Sequence, residues 1–251
     1  QEVLEVGDLP TPVPAAGEVR VKLATSGVNP SDVKSRVARP LNAPLIIPHS
    51  DGAGVIDAVG EGVSPARIGE RVWVWNGQWE RPWGTACEYI CLAQQQAVSL
   101  PANTDEAAAA CFGIPVLTAI QAIRLAPALR GKTVLVTGAA SGVGHYAVQL
   151  AKLEGATVFG TVGNGERAAH AKSAGCDEVI FYKSEPVAQR VLDLTQGQGV
   201  DVIIDLDRLQ ALLHEQKLKH TIGARFDLSH IAQAHQAVEQ GQVIGHVVID
   251  L

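Results

Sequence analysis

The sequence predicts an α/β protein with a β-rich first part and a second part built on a parallel sheet. Residues 1–110 contain short apolar runs between glycines and prolines, a pattern typical of strands in a twisted, barrel-like sheet. From about residue 113, strand-like and helix-like segments alternate, which predicts a parallel sheet covered by helices. With 251 residues, of which 47% are hydrophobic, the chain is large enough for one domain and a smaller partner.

The strands of both parts are readable from their apolar runs. In the first part they are VRVKLA at 19–24, GAGVIDAVG at 52–60 and RVWVW at 71–75. In the second part they are TVLVT at 133–137, TVFGTV at 157–162, EVIFY at 178–182 and VDVIIDL at 200–206. Apolar side chains at helical spacing predict helices over 142–154 and 166–174.

The second part has fewer strands than a complete doubly wound α/β fold, which has about six. After the fourth strand the chain passes at once into the helix-like RLQALLHEQKL, so we predict a missing stretch near 207/208. A compact variant of the fold is the alternative. The final helix-like segment, LSHIAQAHQAVEQ, leads into the strand HVVIDL, which we expect to rejoin the first part.

Composition excludes several classes of function. A net charge of −6 would repel nucleic-acid phosphates, and no local basic patch offsets it. No segment has the roughly 20 apolar residues that cross a bilayer, and the first residues do not resemble a signal peptide. We therefore expect a cytoplasmic protein with four reduced cysteines. Methionine is absent, even at position 1, which suggests that residues are missing from the sequence.

The most informative motif is TVLVTGAASGVG, in which a predicted strand, a glycine-rich turn and a predicted helix follow one another. Absent side chains let the backbone approach a pyrophosphate, while the N–H groups at the helix N-terminus stabilise its charge. The motif predicts a Rossmann-type dinucleotide site. Its cofactor contacts are expected from Gly138, Ala139, Ala140, Ser141, Gly142, Val143 and Gly144.

The glycine string also fits short-chain dehydrogenases, and the context of the motif decides against them. Those enzymes carry the string near the N-terminus, whereas here it begins at residue 137. They also use a Tyr-x-x-x-Lys pair. None of the three tyrosines, Tyr89, Tyr146 and Tyr182, is followed by a lysine four residues later.

Several ordered motifs resemble the medium-chain dehydrogenase/reductase superfamily across nearly the whole chain. They are GEVRVKLATSGVNPSD, PHSDGAGVIDAVGEGV and GERVWV in the first part. FGIPVLTA, VIFY and AHQAVEQGQVIGHVV further resemble its zinc-free quinone-reductase, or zeta-crystallin, branch. The resemblance implies a GroES-like substrate domain over 1–112, completed by about 223–251, and a Rossmann NADPH-binding domain over 113–222. It also implies a homodimer.

The resemblance further implies that no zinc is bound. Zinc-dependent members place a cysteine where this chain has Asn29 and a histidine where it has Ser50. Cys87 and Cys91 could share a helix face, but without further ligands nearby they make a poor zinc site. His49 could act in acid–base chemistry, although a histidine in a Pro-His-Ser turn is more often a local hydrogen-bonding residue. His235 is expected to be structural.

The family mechanism delivers hydride from the nicotinamide, in the cleft between the domains, to a quinone or related conjugated carbonyl. Asn29 is the main candidate for stabilising the oxygen on which charge develops, because its amide donates a hydrogen bond. A turn-forming Asn before Pro30 is the alternative. Thr118 matches a family position beside the nicotinamide, and its alternative is a helix N-cap.

All four tryptophans lie in the segment WVWNGQWERPW. Trp73 and Trp75 alternate like core residues of a strand. Trp79 and Trp83 fall in a predicted loop, where a flat indole could stack on a flat quinone. Packing in the core is the alternative for this second pair.

The end of the second Rossmann strand predicts NADPH rather than NADH. NAD-specific folds usually place an acidic residue there, about 20 residues after the glycine turn. Here Gly163 and Asn164 follow the strand without a carboxylate. Arg167 could pair with the 2′-phosphate, and Tyr182 matches a family tyrosine that reaches the same group. An ordinary surface pair for Arg167 is the alternative.

These observations predict a zinc-independent NADPH-dependent reductase that acts on a small quinone or related conjugated carbonyl compound. One alternative is an enal or enone double-bond reductase of the same superfamily, since all these acceptors need the same hydride donor. Another is a non-catalytic, NADPH-dependent RNA-binding or regulatory protein, as some relatives of zeta-crystallin imply. The acidic net charge argues against the RNA-binding alternative.

Overall fold

Two sheets of different character organise the residues that a computed structural model describes. These residues are 4–205, together with the backbone of two later strands, 222–227 and 246–250. Residues up to Ile204 form one compact unit, and the remainder of the chain forms a second one.

The first sheet has five antiparallel strands. They are β1 (Glu18–Gly27), β2 (Asp51–Val59), β3 (Arg71–Val74), β4 (Tyr89–Ala93) and β5 (Ala97–Ser99), in the spatial order β4-β1-β2-β3-β5. Alternating side chains from one face form its core, namely Val19, Val21, Ile56, Val72, Val74, Ile90 and Leu92. The strands predicted at 19–24, 52–60 and 71–75 are therefore confirmed, with shifts of a few residues at their ends.

The prediction that Trp73 and Trp75 alternate like core residues is confirmed in part, because Trp73 packs against a core cluster of Ala53, Leu100 and Ala109, while Trp75 is half-buried. Val72 and Val74 are the fully buried residues of β3, and Trp73 is half-buried on the other face of the sheet. There its ring packs edge-on against Phe112, with 5.9 Å between the ring centroids. Trp75 follows the last residue of β3, and its indole N–H donates to the Gln95 carbonyl.

Short helices and turns connect the strands of the first sheet to one another and lead from that sheet to the second. They are α1 (Pro30–Ala38), α2 (Glu106–Ala109), a π-helical turn (Phe112–Val116) and α3 (Leu117–Leu125), with single 3₁₀ turns at Pro65–Arg67 and Gln94–Gln96. Pro30 at the first position of α1 suits a helix start, because that N–H has no intrahelical partner.

The second sheet has four parallel strands. They are β6 (Thr133–Val136), β7 (Thr157–Val162), β8 (Glu178–Phe181) and β9 (Val202–Ile204), in the spatial order β8-β7-β6-β9. The connecting helices are α4 (Gly142–Leu153), α5 (Gly165–Ser173) and α6 (Val187–Leu194). The order reverses between β6 and β9, and in such sheets a ligand binds at the carboxyl ends of the strands at this switch point.

These strands and helices confirm the predicted α/β fold, including the helices over 142–154 and 166–174. Helix α4 turns its small residues, Gly144, Ala147, Val148 and Ala151, toward the protein interior. Their spacing of three and four residues is that of one helix face, which lets the helix approach the sheet closely.

The described part of the second unit is a pair of parallel strands, β10 (Ile222–Asp227) and β11 (His246–Asp250). In this pair Ile222 lies opposite His246, and Asp227 lies opposite Asp250. The predicted helix LSHIAQAHQAVEQ, His235 and the predicted missing stretch near 207/208 lie outside the described residues.

Candidate active site

Asn29 joins the start of α1 to strand β2. It is buried at the N-cap of α1, and its backbone N–H donates to the Asp32 carboxylate at 2.7 Å. Its side-chain nitrogen donates to Asp51 Oδ2 at 2.8 Å. A turn-forming role alone leaves this second contact unexplained, because a turn residue needs no buried partner on another strand.

Asp51, the first residue of β2, is a fully buried carboxylate. Its Oδ2 accepts the Asn29 amide and also the backbone N–H of Ile114, at 2.9 Å. Its Oδ1 is buried and has no hydrogen-bond partner among the described residues. Burial raises the pKa of Asp51 to about 6, although both hydrogen bonds favour the charged form. Nothing in the sequence pattern singled out this residue.

His49 lies two residues before Asp51 and starts a chain of hydrogen bonds. Its Nδ1 lies 3.0 Å from Ser26 Oγ, which lies 2.9 Å from Thr85 Oγ1. Thr85 Oγ1 in turn donates to the Asp51 carbonyl at 2.7 Å. Since the Thr85 hydroxyl has a single proton, Ser26 must donate to Thr85, and His49 Nδ1 must donate to Ser26. This network assigns the neutral His49 ring the Nδ1–H tautomer.

Thr118 is the second residue of α3 and is exposed. Val116, not Thr118, occupies the N-cap of this helix, so the alternative of a capping threonine was wrong. Thr118 lies four residues after Ile114, whose N–H is held by Asp51. The Asp51 carboxylate therefore anchors both Asn29 and the turn that leads into the Thr118 helix.

The glycine turn follows β6 and closes onto the start of α4. Gly138 has a φ of 62°, a left-handed conformation that favours glycine, and its N–H donates to Thr161 Oγ1. A Cβ on Gly144 would lie 2.2 Å from the Gly138 carbonyl oxygen, so the turn closes only without a side chain there. A Cβ on Gly142 would meet nothing within 4 Å.

The start of α4 fits a phosphate group. Ser141 caps the helix, and its Oγ accepts the Gly144 N–H at 3.0 Å. The preceding N–H groups, those of Gly142 and Val143, have no intrahelical acceptor by virtue of their position and suit an anion. The structure thus brings together the turn residues that the sequence predicted, at the carboxyl end of β6 and beside the switch point.

Of the residues expected at the ribose end, Tyr182 lies beside Gly163. A Cβ on Gly163 would lie 3.2 Å from the Tyr182 hydroxyl and 3.6 Å from Cε of Lys183. Asn164 caps α5 by accepting the Arg167 N–H at 3.0 Å, and the Arg167 side chain is exposed. Lys183 is a cation that the sequence analysis missed, because its place depends on β7 and β8 being neighbours.

Trp79 and Trp83 are both exposed, on the loop between β3 and β4. Backbone hydrogen bonds join this loop to the segment before β2, from Gly77 N–H to the Ser50 carbonyl and from Ile47 N–H to the Pro82 carbonyl, both at 2.8 Å. The core-packing alternative for these two tryptophans was wrong, since 64% of Trp79 and 47% of Trp83 remain accessible.

Arg81, between the two tryptophans, holds this loop in shape. Its Nε donates to the carbonyls of Gly77 and Trp83, at 2.7 and 3.0 Å. A further guanidinium N–H donates to the Cys91 carbonyl at 2.7 Å. Partial burial lowers the pKa of Arg81, and the hydrogen bonds to carbonyls still suit a charged guanidinium.

The residues at the zinc-ligand positions do not fit zinc. Asn29 and Ser50 replace the usual cysteine and histidine, and neither offers a thiolate or an imidazole. Cys87 and Cys91 do not share a helix face, because Cys91 lies in strand β4 and Cys87 precedes it. Over residues 4–205, no three His, Cys, Asp or Glu side chains converge in a group that could hold a metal ion.

Family comparisons cover most of the chain. The alcohol dehydrogenase GroES-like domain matches residues 15–102, and two zinc-binding dehydrogenase models match residues 142–214 and 205–249. The chain belongs to the medium-chain dehydrogenase/reductase superfamily. This finding confirms the family predicted from the motifs. The antiparallel sheet and the parallel sheet are those expected of the superfamily fold.

The curated relatives of this chain belong to the quinone oxidoreductase branch of the superfamily. The chain is 38% identical over 208 residues to a quinone oxidoreductase of Pseudomonas aeruginosa, which covers 81% of this chain and 62% of the relative. It is 33% identical over 209 residues to the quinone oxidoreductase of Homo sapiens, covering 82% of this chain and 62% of the relative. The chain therefore spans somewhat less than two thirds of these relatives.

Solved structures share the fold. The Escherichia coli quinone oxidoreductase complexed with NADPH has a TM-score of 0.73 and 26% identity, covering 99% of this chain and 76% of that one. An NAD-dependent alcohol dehydrogenase has the same TM-score of 0.73 at 29% identity, covering 100% and 96% of the two chains. Within the described residues, no helix has the length and apolar character needed to cross a membrane.

Proposed function

We propose that this protein is an NADPH-dependent, zinc-independent reductase that transfers hydride to a quinone or related conjugated carbonyl compound. The observation that carries the proposal is the buried Asn29 amide, held by Asp51 at the position where zinc-dependent members have a cysteine. An amide at this place offers a hydrogen-bond donor to the substrate oxygen instead of a metal ligand. The names of the relatives support the same reaction.

The cofactor would be held by the glycine turn and the end of β7. The N–H groups of Gly142 and Val143 would bind the pyrophosphate, and Ser141 keeps the first turn of α4 in place. When bound, the reduced nicotinamide supplies the hydride. Thr118, exposed in the first turn of α3, would hydrogen-bond the nicotinamide or its carboxamide through its hydroxyl.

The substrate would be oriented from the side of the first sheet. As charge develops on the acceptor oxygen, the Asn29 N–H that is not bonded to Asp51 would donate to that oxygen. Trp79 and Trp83 would offer flat apolar surfaces on which a quinone ring can stack. The loop that carries them is bonded to the backbone of Ser50, next to Asp51.

Preference for NADPH is the finer part of the proposal. Tyr182 and Lys183 converge at Gly163, and Arg167 is exposed in the first turn of the following helix. The Tyr182 hydroxyl and the cations Lys183 and Arg167 would bind a 2′-phosphate. Neither Gly163 nor Asn164 supplies the carboxylate that would bind the ribose hydroxyls of NADH. The NADPH complex of the E. coli relative supports this preference, and the NAD-dependent relative is the competing precedent.

The proposal also includes the division into domains, the oligomeric state and the cellular location of the protein. Residues 1–112, completed by about 223–251, would form the substrate domain, and residues 113–222 would form the NADPH-binding domain. We also propose a cytoplasmic homodimer. Sedimentation of the purified chain tests the dimer, and a single species at monomer mass would refute it.

Steady-state kinetics with quinones, enals and enones, each with NADPH and with NADH, tests the proposed reaction. We expect quinone turnover, with a higher kcat/KM for NADPH than for NADH. Turnover of enals but not quinones would assign the double-bond reductase alternative. Absence of turnover together with salt-dependent RNA binding would assign the regulatory alternative instead.

A further inference from the structure

The Asp51 carboxylate has an unequal environment at its two oxygens. Oδ2 accepts two N–H groups, from Asn29 and Ile114, while Oδ1 is buried and has no hydrogen-bond partner among the described residues. The Gly113 backbone packs directly against Oδ1, because a Cβ on Gly113 would lie 2.0 Å from that oxygen. Such an arrangement is costly for a buried charge, since each unsatisfied oxygen loses its hydration.

This carboxylate determines which way the Asn29 amide points. An ionised carboxylate can only accept hydrogen bonds, so the Asn29 nitrogen, not its oxygen, must face Asp51. One of the two amide protons is then engaged, and the geometry of the planar amide fixes the direction of the other. A hydrogen bond to a charged acceptor is stronger than one to a neutral acceptor, so Asp51 holds the amide firmly in this orientation.

The same carboxylate ties Asn29 to the start of the second part of the chain. The Ile114 N–H belongs to the π-helical turn Phe112–Val116, which leads directly into α3 and Thr118. The proposed substrate donor and the proposed nicotinamide contact are thus joined through one buried side chain. A displacement of Asp51 would therefore move both the Asn29 amide and the turn that leads to Thr118.

We propose that Asp51 is a positioning residue, which orients the Asn29 amide toward the substrate oxygen and couples it to the turn before Thr118. This inference deepens the proposed reductase function and rests on it. Asp51 itself touches neither substrate nor cofactor in this proposal. It acts through the two N–H groups that it accepts.

The charge on Asp51 adds a pH dependence. The titratable groups around it are Asp32 on α1, whose charge further raises the Asp51 pKa, and His49 on the segment before β2. On α2, Glu106 is paired with Arg71, and the turn Phe112–Val116 has no titratable side chain. Because burial raises the Asp51 pKa to about 6, its carboxylate is protonated as the pH falls through that value.

Asp51→Asn and Asp51→Ala separate charge from hydrogen bonding. Asp51→Asn keeps an oxygen that accepts the two N–H groups but removes the charge, whereas Asp51→Ala removes both. We expect a kcat loss of about 10-fold or more in Asp51→Ala and a smaller loss in Asp51→Asn. NADPH binding should weaken only in Asp51→Ala, which also loses the acceptor for the Ile114 N–H. Asp57→Asn, on the same strand but paired with Arg20 outside the site, is the matched control.

The pH profile gives a readout that a purely structural role would not move. In the unaltered protein, kcat should fall as the pH drops through about 6, and this limb should be absent in Asp51→Asn. Equal kcat in Asp51→Ala and Asp57→Asn, or an unchanged low-pH limb in Asp51→Asn, would overturn the proposal.

A measurement without substrate distinguishes failure of this inference from failure of the proposed function. The side-chain amide signals of Asn29, assigned by their loss in Asn29→Ala, should shift with an apparent pKa near 6 in ¹⁵N NMR spectra. In Asp51→Asn they should not shift. Asn29 signals that are insensitive to pH in the unaltered protein would overturn the inference, whether or not the protein reduces quinones.

Discussion

The two halves of the candidate site are built in different ways. Around the glycine turn, backbone N–H groups and absent side chains form the site, and its key residues lie within seven positions of one another, from Gly138 to Gly144. Around Asn29, side chains form the site, and the contacts to Asp51 span 22 positions from Asn29 and 63 from Ile114. A local motif is legible in a sequence, whereas a long-range side-chain contact requires the fold.

The largest expected effect tests the backbone-built half. Gly144→Val should weaken NADPH binding by about 100-fold and destabilise the fold by roughly 1–3 kcal/mol, because its side chain would collide with the Gly138 carbonyl. NADPH fluorescence titration and urea unfolding measure these effects. Gly142→Ala, whose Cβ has free space, is the matched control for folding. Equal stability of the two variants would contradict the close approach.

The next effect concerns the cost of the buried Asp51 charge. Burial raises its pKa from 3.8 to about 6 in the folded state. At pH values between these two, the folded protein keeps a proton on Asp51 that the unfolded chain has lost. Stability should therefore fall as the pH rises through this window. The free energy of unfolding of Asp51→Asn, relative to the unaltered protein, should increase by about 1–3 kcal/mol between pH 4 and pH 7.

Asp177→Asn is the control of opposite sign for this measurement. Partial burial raises the pKa of Asp177, but hydrogen bonds from Lys152 and Val158 outweigh it and lower the pKa overall. A lowered pKa contributes stability above the unfolded value, so the relative stability of Asp177→Asn should decrease as the pH rises. Curves of the same sign for both variants would refute the assigned environments.

A smaller effect is expected from the substrate donor. Asn29→Ala should lower kcat about 10-fold or more while the dissociation constant for NADPH stays unchanged, because the donor acts on charge that develops in the transition state. Stopped-flow reduction of a quinone and fluorescence titration of NADPH separate the two quantities. Unchanged turnover in a folded variant would reduce Asn29 to a helix-capping residue.

A substitution at the proposed 2′-phosphate site should have a weaker effect, because Arg167 is exposed and solvent screens its charge. Arg167→Ala should raise the KM for NADPH about 3-fold to 10-fold and leave that for NADH unchanged, as expected for a lost charge-assisted hydrogen bond. Glu166→Gln, which removes the neighbouring negative charge, should not raise the KM for NADPH. Parallel increases for both cofactors would remove Arg167 from the proposed 2′-phosphate site.

The smallest effect is expected from metal removal. Since Asn29 and Ser50 offer zinc neither a thiolate nor an imidazole, a chelator should leave quinone turnover unchanged. Metal analysis of the purified protein gives the complementary measurement. Stoichiometric zinc, or activity lost to chelator and restored by zinc, would contradict zinc independence.

The sequence predicted the sheets and the glycine turn because both depend on local patterns. The runs TVLV and TVFGTV form parallel strands, and Gly138 and Gly144 occupy the tight positions of the turn. Asp51 escaped prediction since its role comes from pairing β2 with β1 and from a turn far along the chain. Lys183 escaped for the same reason, because only the pairing of β7 and β8 brings it to Gly163.

The hydrogen bonds that Arg81 donates to three backbone carbonyls have a consequence for ligand binding. The Arg81 hydrogen bonds hold the loop that carries Trp79 and Trp83 in shape, and backbone hydrogen bonds attach this loop to Ser50 and Ile47. A flat ring that stacks on Trp79 or Trp83 would therefore find a surface already ordered. Little conformational entropy remains to be lost on binding, so affinity for different flat rings would follow their area and shape.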